Sequence, residues 1–203
     1  MNSKKTPCGG GGKSLWFEYD EKSKGFTTKE KIKEQLWRIA EMALFRPSPK
    51  LFSMWRVFLL RAFGAKIGKG CYISNRAIFI HPWNICIGNN CGIDDYVFIK
   101  GDRRIVIGNY VSIGNYSKLL PSGHNIRTRN FEHCGKPITI GNGVFVGANS
   151  FIGPGVNIGE MAVVGSCVNL YKDVPDNTVV ITKVEYLYKE RLEPEDFQNF
   201  VYE

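Results

Sequence analysis

From Ile138 to Leu170 aliphatic residues recur every six positions, at Ile140, Val146, Ile152, Ile158, Val164 and Leu170. A glycine follows each of the first five, at Gly141, Gly147, Gly153, Gly159 and Gly165. A second column, two residues earlier, reads Ile138, Val144, Ser150, Val156, Ala162 and Val168. A period of six matches neither the helical turn of about 3.6 residues nor the heptad of a coiled coil. Short strands joined by tight turns do have it. This is the hexapeptide pattern of a parallel β-helix, in which three hexads close a triangular coil and one aliphatic side chain per strand points to the axis. The glycine after each strand reads as a turn residue, placed where a Cβ would hinder the turn backbone.

The same spacing starts at Ile67-Gly68 and runs through Ile73, Phe79, Ile87-Gly88, Ile93, Ile99, Ile107-Gly108, Ile113-Gly114 and Leu119. Two-residue additions to the 18-residue coil fall at His81-Pro82-Trp83 and at Asp102-Arg103-Arg104. The step from Leu119 to Ile140 is 21 residues instead of six, so residues 122–136 are expected to leave the prism as a loop. Loops carried by a rigid scaffold are where sites are commonly placed.

Ahead of the repeats the period is helical. Thr27 with Glu30 has the form of a capping box, followed by an apolar stripe of Ile32, Leu36, Ile39, Ala40, Ala43 and Leu44. Pro47 and Pro49 end that helix, and Ser48-Pro49 are expected to open a second one as cap and first residue. The second runs from Leu51 to Phe63, is apolar almost all round, and stops at Gly64. It is shorter than the ~20 residues a bilayer span requires. It is therefore expected to be buried against the β-helix or a neighbour, or to lie in a membrane interface. Residues 1–25, with Gly9 to Gly12 and scattered lysines, read as a flexible leader, and the tail from Val184 as a cap over the last coil. The organisation is thus a leader (1–25), a helical segment (26–64), a β-helix domain (65–182) with its excursion, and a C-terminal cap or tail (183–203).

Composition changes this picture only through its distribution. Of the 203 residues, 43% are apolar, as in a soluble globular protein, and the formal net charge is +8. Residues 1–66 hold 14 Lys+Arg against 6 Asp+Glu, and residues 67–203 hold 13 against 13, so the excess lies ahead of the repeats. That disfavours a β-helix groove for nucleic acid and fits a basic element near an anionic surface. Within residues 28–63, Trp37, Phe45, Phe52, Trp55 and Phe58 are candidate interfacial anchors. The six cysteines, Cys8, Cys71, Cys86, Cys91, Cys134 and Cys167, form no CxxC pair or zinc-like spacing. Cys71, Cys86 and Cys167 lie inside repeats and read as small buried thiols. No secretory signal pattern precedes the first apolar cluster, so the expected location is the cytoplasm, at most peripheral to a membrane.

The excursion carries two of the three histidines, His124 and His133. His124 stands at the exit of a coil beside Gly123, where a neutral imidazole could take a proton from an alcohol. His133 lies mid-loop between Glu132 and Cys134, with no rigid element expected before Pro137. The hexapeptide array, Gly123-His124-Asn125, and the closing run from Ile152 to Gly159 with Lys172-Asp173-Val174-Pro175 resemble the left-handed β-helix acyltransferases of the galactoside and maltose acetyltransferase type. The segment from Phe45 through Pro47, Trp55-Arg56 and Leu59 to Gly68 resembles the polysaccharide O-acetyltransferases of colanic-acid-type biosynthesis. Together these likenesses cover about residues 35–180. The left hand comes from the resemblance alone, since the general crossover rule would give a right-handed coil.

The resemblance implies a homotrimer with acetyl-CoA in the cleft between two prisms and His124 as general base. By position, Gly147, Ala148, Ser166 and Lys172 would line the coenzyme path, Lys172 as a point charge for a phosphate. Asp94 or Asp95, one coil before the histidine, would face the acceptor; either is otherwise an ordinary turn residue. The family's element near the adenine is replaced here by Val180-Ile181-Thr182-Lys183-Val184-Glu185, which leaves that end of the coenzyme site open. The expected function is acetyl-CoA-dependent O-acetylation of a sugar hydroxyl in cell-surface polysaccharide synthesis, without a metal. Alternatives are N-acylation of an amino-sugar nucleotide and a non-catalytic scaffold. A zinc hydrolyase resembling the γ-type carbonic anhydrases needs a three-histidine spacing that His81, His124 and His133 do not offer.

Overall fold

Three parallel ladders of short strands stack coil on coil into a triangular prism. The first face carries Ile67, Ile87, Ile107, Ile140 and Ile158 over one another. The second carries Ile73, Ile93, Ile113, Val146, Val164 and Val180. The third carries Phe79, Ile99, Leu119, Ile152 and Leu170. All but Val180 are buried, so the hexad predicted from the sequence is the core of a mainly β, parallel β-helix. This computed structural model describes residues 28–126, 129 and 132–183. The expected leader 1–25, Thr27 of the capping box, and the tail from Val184 lie outside the described residues.

The glycines after the strands have a different physical reason from the one expected. Left-handed backbone occurs two residues later, at Asn90, Tyr96, Tyr110, Tyr116, Asn149, Met161 and Cys167, with φ between 55° and 64°. The strand-following glycines are needed for space. A Cβ on Gly88 would sit 2.5 Å from the carbonyl oxygen of Gly108, and one on Gly147 would sit 2.5 Å from the amide of Ser166. Each such glycine therefore lets the next coil close down. Gly88→Ala is expected to cost about 1–3 kcal/mol through overpacking. Gly123→Ala, with nothing within 4 Å of its added carbon, should stay within about 0.5 kcal/mol of wild type. Equal urea midpoints for the two variants would overturn this close-approach account.

At the N-terminal end, helix α1 (Thr28–Ala40) continues through a π-helical turn (Glu41–Phe45), and α2 (Ser53–Ala62) follows. Ser48 does not cap α2. Its hydroxyl donates to the Phe45 carbonyl and accepts from Arg56 Nη1 at 2.9 Å, so the helix begins at Ser53. From there α2 serves the exposed edge of the first coil as a further coil would. Ser53 Oγ accepts from the Ile73 amide at 2.8 Å and donates to the Cys71 carbonyl at 3.2 Å. Arg56 Nε donates to the Ile73 carbonyl, and Arg61 to those of Ile67 and Gly68.

Trp37 and Phe45, read from the sequence as interfacial anchors, are core residues: both pack in the buried cluster with Leu60 and Phe79, and Trp37 Nε1 donates to the Phe79 carbonyl at 2.7 Å. The apolar stripe of α1 points the other way, with Ile32, Leu36 and Ile39 57%, 55% and 60% exposed. The cysteine expectation is corrected too. Cys71 and Cys91 are buried, Cys86 is half-buried on an outer face, and Cys167 is an exposed corner residue.

Candidate active site

Two corners of the prism carry the candidate groups. The corner between the third and first faces holds His81 in the first coil, Asp102 in the second and the excursion in the third. The corner between the second and third faces holds Asp94-Asp95-Tyr96, then Asn115-Tyr116, Ala148-Asn149 and Ser166-Cys167 in successive coils. The rings of Tyr96 and Tyr116 stack there, 4.9 Å apart.

The excursion is rooted in an antiparallel hairpin, not a loop alone. Ser122–His124 pairs with His133–Gly135, and Lys136 N donates to the Pro121 carbonyl at 2.9 Å to close its base. His133 therefore is not mid-loop: it lies on a strand directly across from His124, their rings edge to face at 5.6 Å. The His124 residue is solvent-exposed at the end of its strand. Neither strand has the alternating apolar pattern by which a hairpin is read from sequence.

Beneath the hairpin sits a group that sequence reasoning passed over. The Asp102 side chain is only 3% exposed. Its Oδ1 lies 2.9 Å from His81 Nδ1, and its Oδ2 accepts from Ser122 Oγ at 2.7 Å and from Lys100 Nζ at 2.8 Å. Burial alone would raise its pKa, but the bonds from His81, Lys100 and Ser122 and the lysine charge prevail and hold the carboxyl well below the usual range. Burial opposes a charge on His81, yet Asp102 and Glu34 flank its ring and raise its pKa. For His133 burial prevails, aided by Arg103, His124 and Lys100 against the pull of Asp102, and its pKa falls below the ordinary value. The signal available in the sequence was the pair of two-residue additions: they place His81 and Asp102 on the very corner from which the excursion departs.

The remaining predicted residues divide. Gly147, Ala148 and Ser166 are brought together: Gly147 is buried directly under the Ser166 backbone, while Ala148 and Ser166 are exposed at the corner. Asp94 and Asp95 share that corner, two coils and more away along the chain path. Asp95 accepts from the Ser74 hydroxyl and from Arg76 Nη1 at 3.2 Å, and chiefly the Ser74 bond lowers its pKa. Asp94 has its pKa raised by burial and by the neighbouring Asp95 charge. Lys172 is exposed on the hairpin corner, two coils past His124. One chain thus does not bring His124 or Lys172 to the other five positions; the third face, about six residues or roughly 20 Å of extended chain, separates them. On that face a cavity of about 210 Å³ opens beside Tyr116, Lys118, Asn149, Phe151 and Asn169.

The fold is a hexapeptide-repeat β-helix that carries an exposed imidazole on a hairpin at one corner. No protein-family model matches the chain. The chain is 34% identical over 172 residues to the colanic acid biosynthesis acetyltransferase WcaF of Escherichia coli, covering 85% of this chain and 94% of that one. A galactoside acetyltransferase solved in complex with coenzyme A superposes with a TM-score of 0.67 at 28% identity, over 75% of this chain and 78% of that one. A hexapeptide-repeat-containing acetyltransferase of Vibrio cholerae, complexed with acetyl coenzyme A, shares the fold with a TM-score of 0.69 at 23% identity, over 75% and 84% of the two chains. The chain belongs to the hexapeptide-repeat acetyltransferase family.

Proposed function

We propose that this acetyltransferase uses acetyl-CoA to acetylate a sugar hydroxyl in cell-surface polysaccharide synthesis, with His124 as general base. The observation that carries this reading is the hairpin: it projects an exposed imidazole from a rigid prism, next to a corner where the exposed turn residues Ala148 and Ser166 can meet the amide-rich pantetheine arm. The His124 imidazole removes the proton of the acceptor hydroxyl as the oxygen attacks the thioester carbonyl. The tetrahedral intermediate collapses with loss of the CoA thiolate, which takes up the proton from the imidazolium. The names of the relatives, one a colanic acid biosynthesis acetyltransferase and one a galactoside acetyltransferase, support a sugar acceptor. Acetyl-CoA consumption against a panel of sugars, sugar nucleotides and lipid-linked oligosaccharides tests it. Turnover confined to an amino-sugar nucleotide would replace O- with N-acetylation, and no turnover at all would favour a scaffold.

The assembly proposed with it is a homotrimer. His124 and Lys172 lie on one corner and Asp94, Asp95, Gly147, Ala148 and Ser166 on the next, so a second prism is what brings the two sets face to face. Multi-angle light scattering is expected to give three times the 22.9 kDa chain mass, and a stable monomer would remove the composite site.

A peripheral membrane association is also proposed for residues 28–63. No described helix is long and apolar enough to cross a membrane. Ile32, Leu36 and Ile39 of α1, with Phe52, Trp55 and Phe58 at and in α2, are however exposed on a segment rich in Lys and Arg. That combination suits an anionic lipid surface. Sedimentation with anionic vesicles at low salt is expected to carry the protein down; protein left in the supernatant would exclude this role.

A further inference from the structure

The first three coils and α1 contribute a single polar column to the hairpin corner. Glu34 of α1 places Oε2 3.4 Å from His81 Nε2, and His81 Nδ1 lies 2.9 Å from Asp102 Oδ1. The other carboxylate oxygen, Oδ2, accepts from Ser122 Oγ at 2.7 Å on one hairpin strand, and His133 Nε2 stands 3.8 Å from it on the other. Lys100 Nζ, at the end of the strand that leads into Asp102, lies 2.8 Å from Oδ2. A carboxylate this deep is tolerable only where its lone pairs are met by donors. Here the donors come from the coil below, from the same coil and from the root of the excursion.

We propose that Asp102 is a positioning residue for the transfer reaction: through Ser122 it fixes the lean of the hairpin on the prism, and with it the place of His124. This rests on the reading of His124 as base. An isolated two-stranded hairpin is marginal in water, so its orientation depends on what anchors its root. The backbone closure at Pro121 and Lys136 joins the hairpin to the coil. Beside that closure the Asp102 carboxylate ties down the Ser122 strand by a hydrogen bond and lies 3.8 Å from His133 Nε2 of the other strand. His133, with Nε2 3.8 Å from Asp102, presents its ring edge to face with that of His124 and so bounds the space in which the imidazole turns. The same carboxylate is saturated by protein groups, which makes it a support and not a proton acceptor in the reaction. A displacement of about 1 Å at a reacting group is enough to cost on the order of 10²-fold in rate.

Three variants test this, assayed as the full chain with acetyl-CoA and the best acceptor from the panel: Asp102→Asn, Ser122→Ala and Ser122→Thr. Ser122→Ala and Asp102→Asn are expected to lower kcat by about 10- to 100-fold with the KM for acetyl-CoA within about twofold. Ser122→Thr, which keeps the hydroxyl, should restore kcat to within about threefold of wild type. The double variant Asp102→Asn/Ser122→Ala should be no slower than Asp102→Asn alone, because both act through one bond. If Asp102→Asn fails to fold, the Ser122 pair still decides, since a part-buried hydroxyl at a hairpin root is not needed for the prism. A folded Ser122→Ala enzyme with unchanged kcat, or a loss confined to the KM for acetyl-CoA, overturns the proposal. An inactive His124→Ala beside fully active Ser122→Ala and Asp102→Asn would sink the positioning role alone. Full activity in His124→Ala would sink the reading beneath it.

Discussion

His124→Ala is expected to fold and to bind acetyl-CoA like the wild type, yet to turn over about 10²- to 10⁴-fold more slowly. The residue is solvent-exposed and its ring meets that of His133, so truncating it leaves the buried core of the coils intact. The coenzyme residues proposed at the adjacent corner, Gly147, Ala148 and Ser166, act through backbone and are untouched. What disappears is the group that accepts the hydroxyl proton, which makes the loss one of kcat and not of KM for acetyl-CoA. His133→Ala should cost less, because that ring walls the imidazole without taking the proton. It should cost more than a mid-loop histidine would, because it stands across the hairpin from His124. Steady-state kinetics with both substrates varied, alongside calorimetric titration of acetyl-CoA, provides the check. Near-normal turnover by His124→Ala would end the proposed mechanism.

The largest expected effect on stability belongs to Arg56. Its side chain is wholly buried in α2, and its guanidinium donates only to neutral oxygens in the four bonds that hold it. Nε donates to the Ile73 carbonyl at 2.7 Å, Nη1 to Ser48 Oγ and the Pro49 carbonyl, and Nη2 to the Lys50 carbonyl. Burial lowers its pKa, but a guanidinium stays charged, and four oxygens surround the charge in place of water. Arg56→Ala would leave those acceptors without donors at the junction of the proline turn, α2 and the first coil. The expected loss is about 3–5 kcal/mol. Arg56→Lys should recover little of it, since an ammonium cannot reach four acceptors spread around a planar fork. Urea unfolding measures both, and an Arg56→Ala midpoint within about 1 kcal/mol of wild type would contradict the role assigned to this residue.

The β-helix was legible because its signal is redundant: more than a dozen residues keep a step of six, reset only at the two additions and the excursion, and a single misread position changes nothing. The reason for the glycines was not legible. Sequence shows that a small residue is required after each strand, but turn conformation and the closeness of the next coil make the same demand, and only the distance from Gly88 to Gly108 separates them. Periodicity likewise predicted the α1 stripe without saying what covers it. A single Trp37, off the stripe and able to donate to the Phe79 carbonyl, settles the inward face, and the stripe is left outside. At the site, His124 was legible from its place at the exit of a coil. Asp102 and His81 were not, because a buried ion cluster has no pattern of its own; it emerges only when the two-residue additions are stacked on one corner. Ser122–His124 and His133–Gly135, short, polar and glycine-bearing, carry no strand signal at all.

In the proposed trimer the coil spacing becomes a scale of height. Three parallel prisms around a rotation axis have no offset along it, so equal coil numbers in neighbouring chains lie level, graduated in steps of about 4.8 Å. His124 belongs to the third coil. Across the cleft, Asp94 and Asp95 of the neighbouring chain stand one graduation to one side of it, in the second coil, while Ala148 and Ser166 stand one and two graduations to the other. Lys172, on the same chain as His124, is two graduations along in the same sense as Ser166. The imidazole then sits between a carboxylate-bearing approach and a path of turn amides that ends near a cation. The acceptor would enter from one end of the groove and the thioester from the other, meeting at a level set by counting coils.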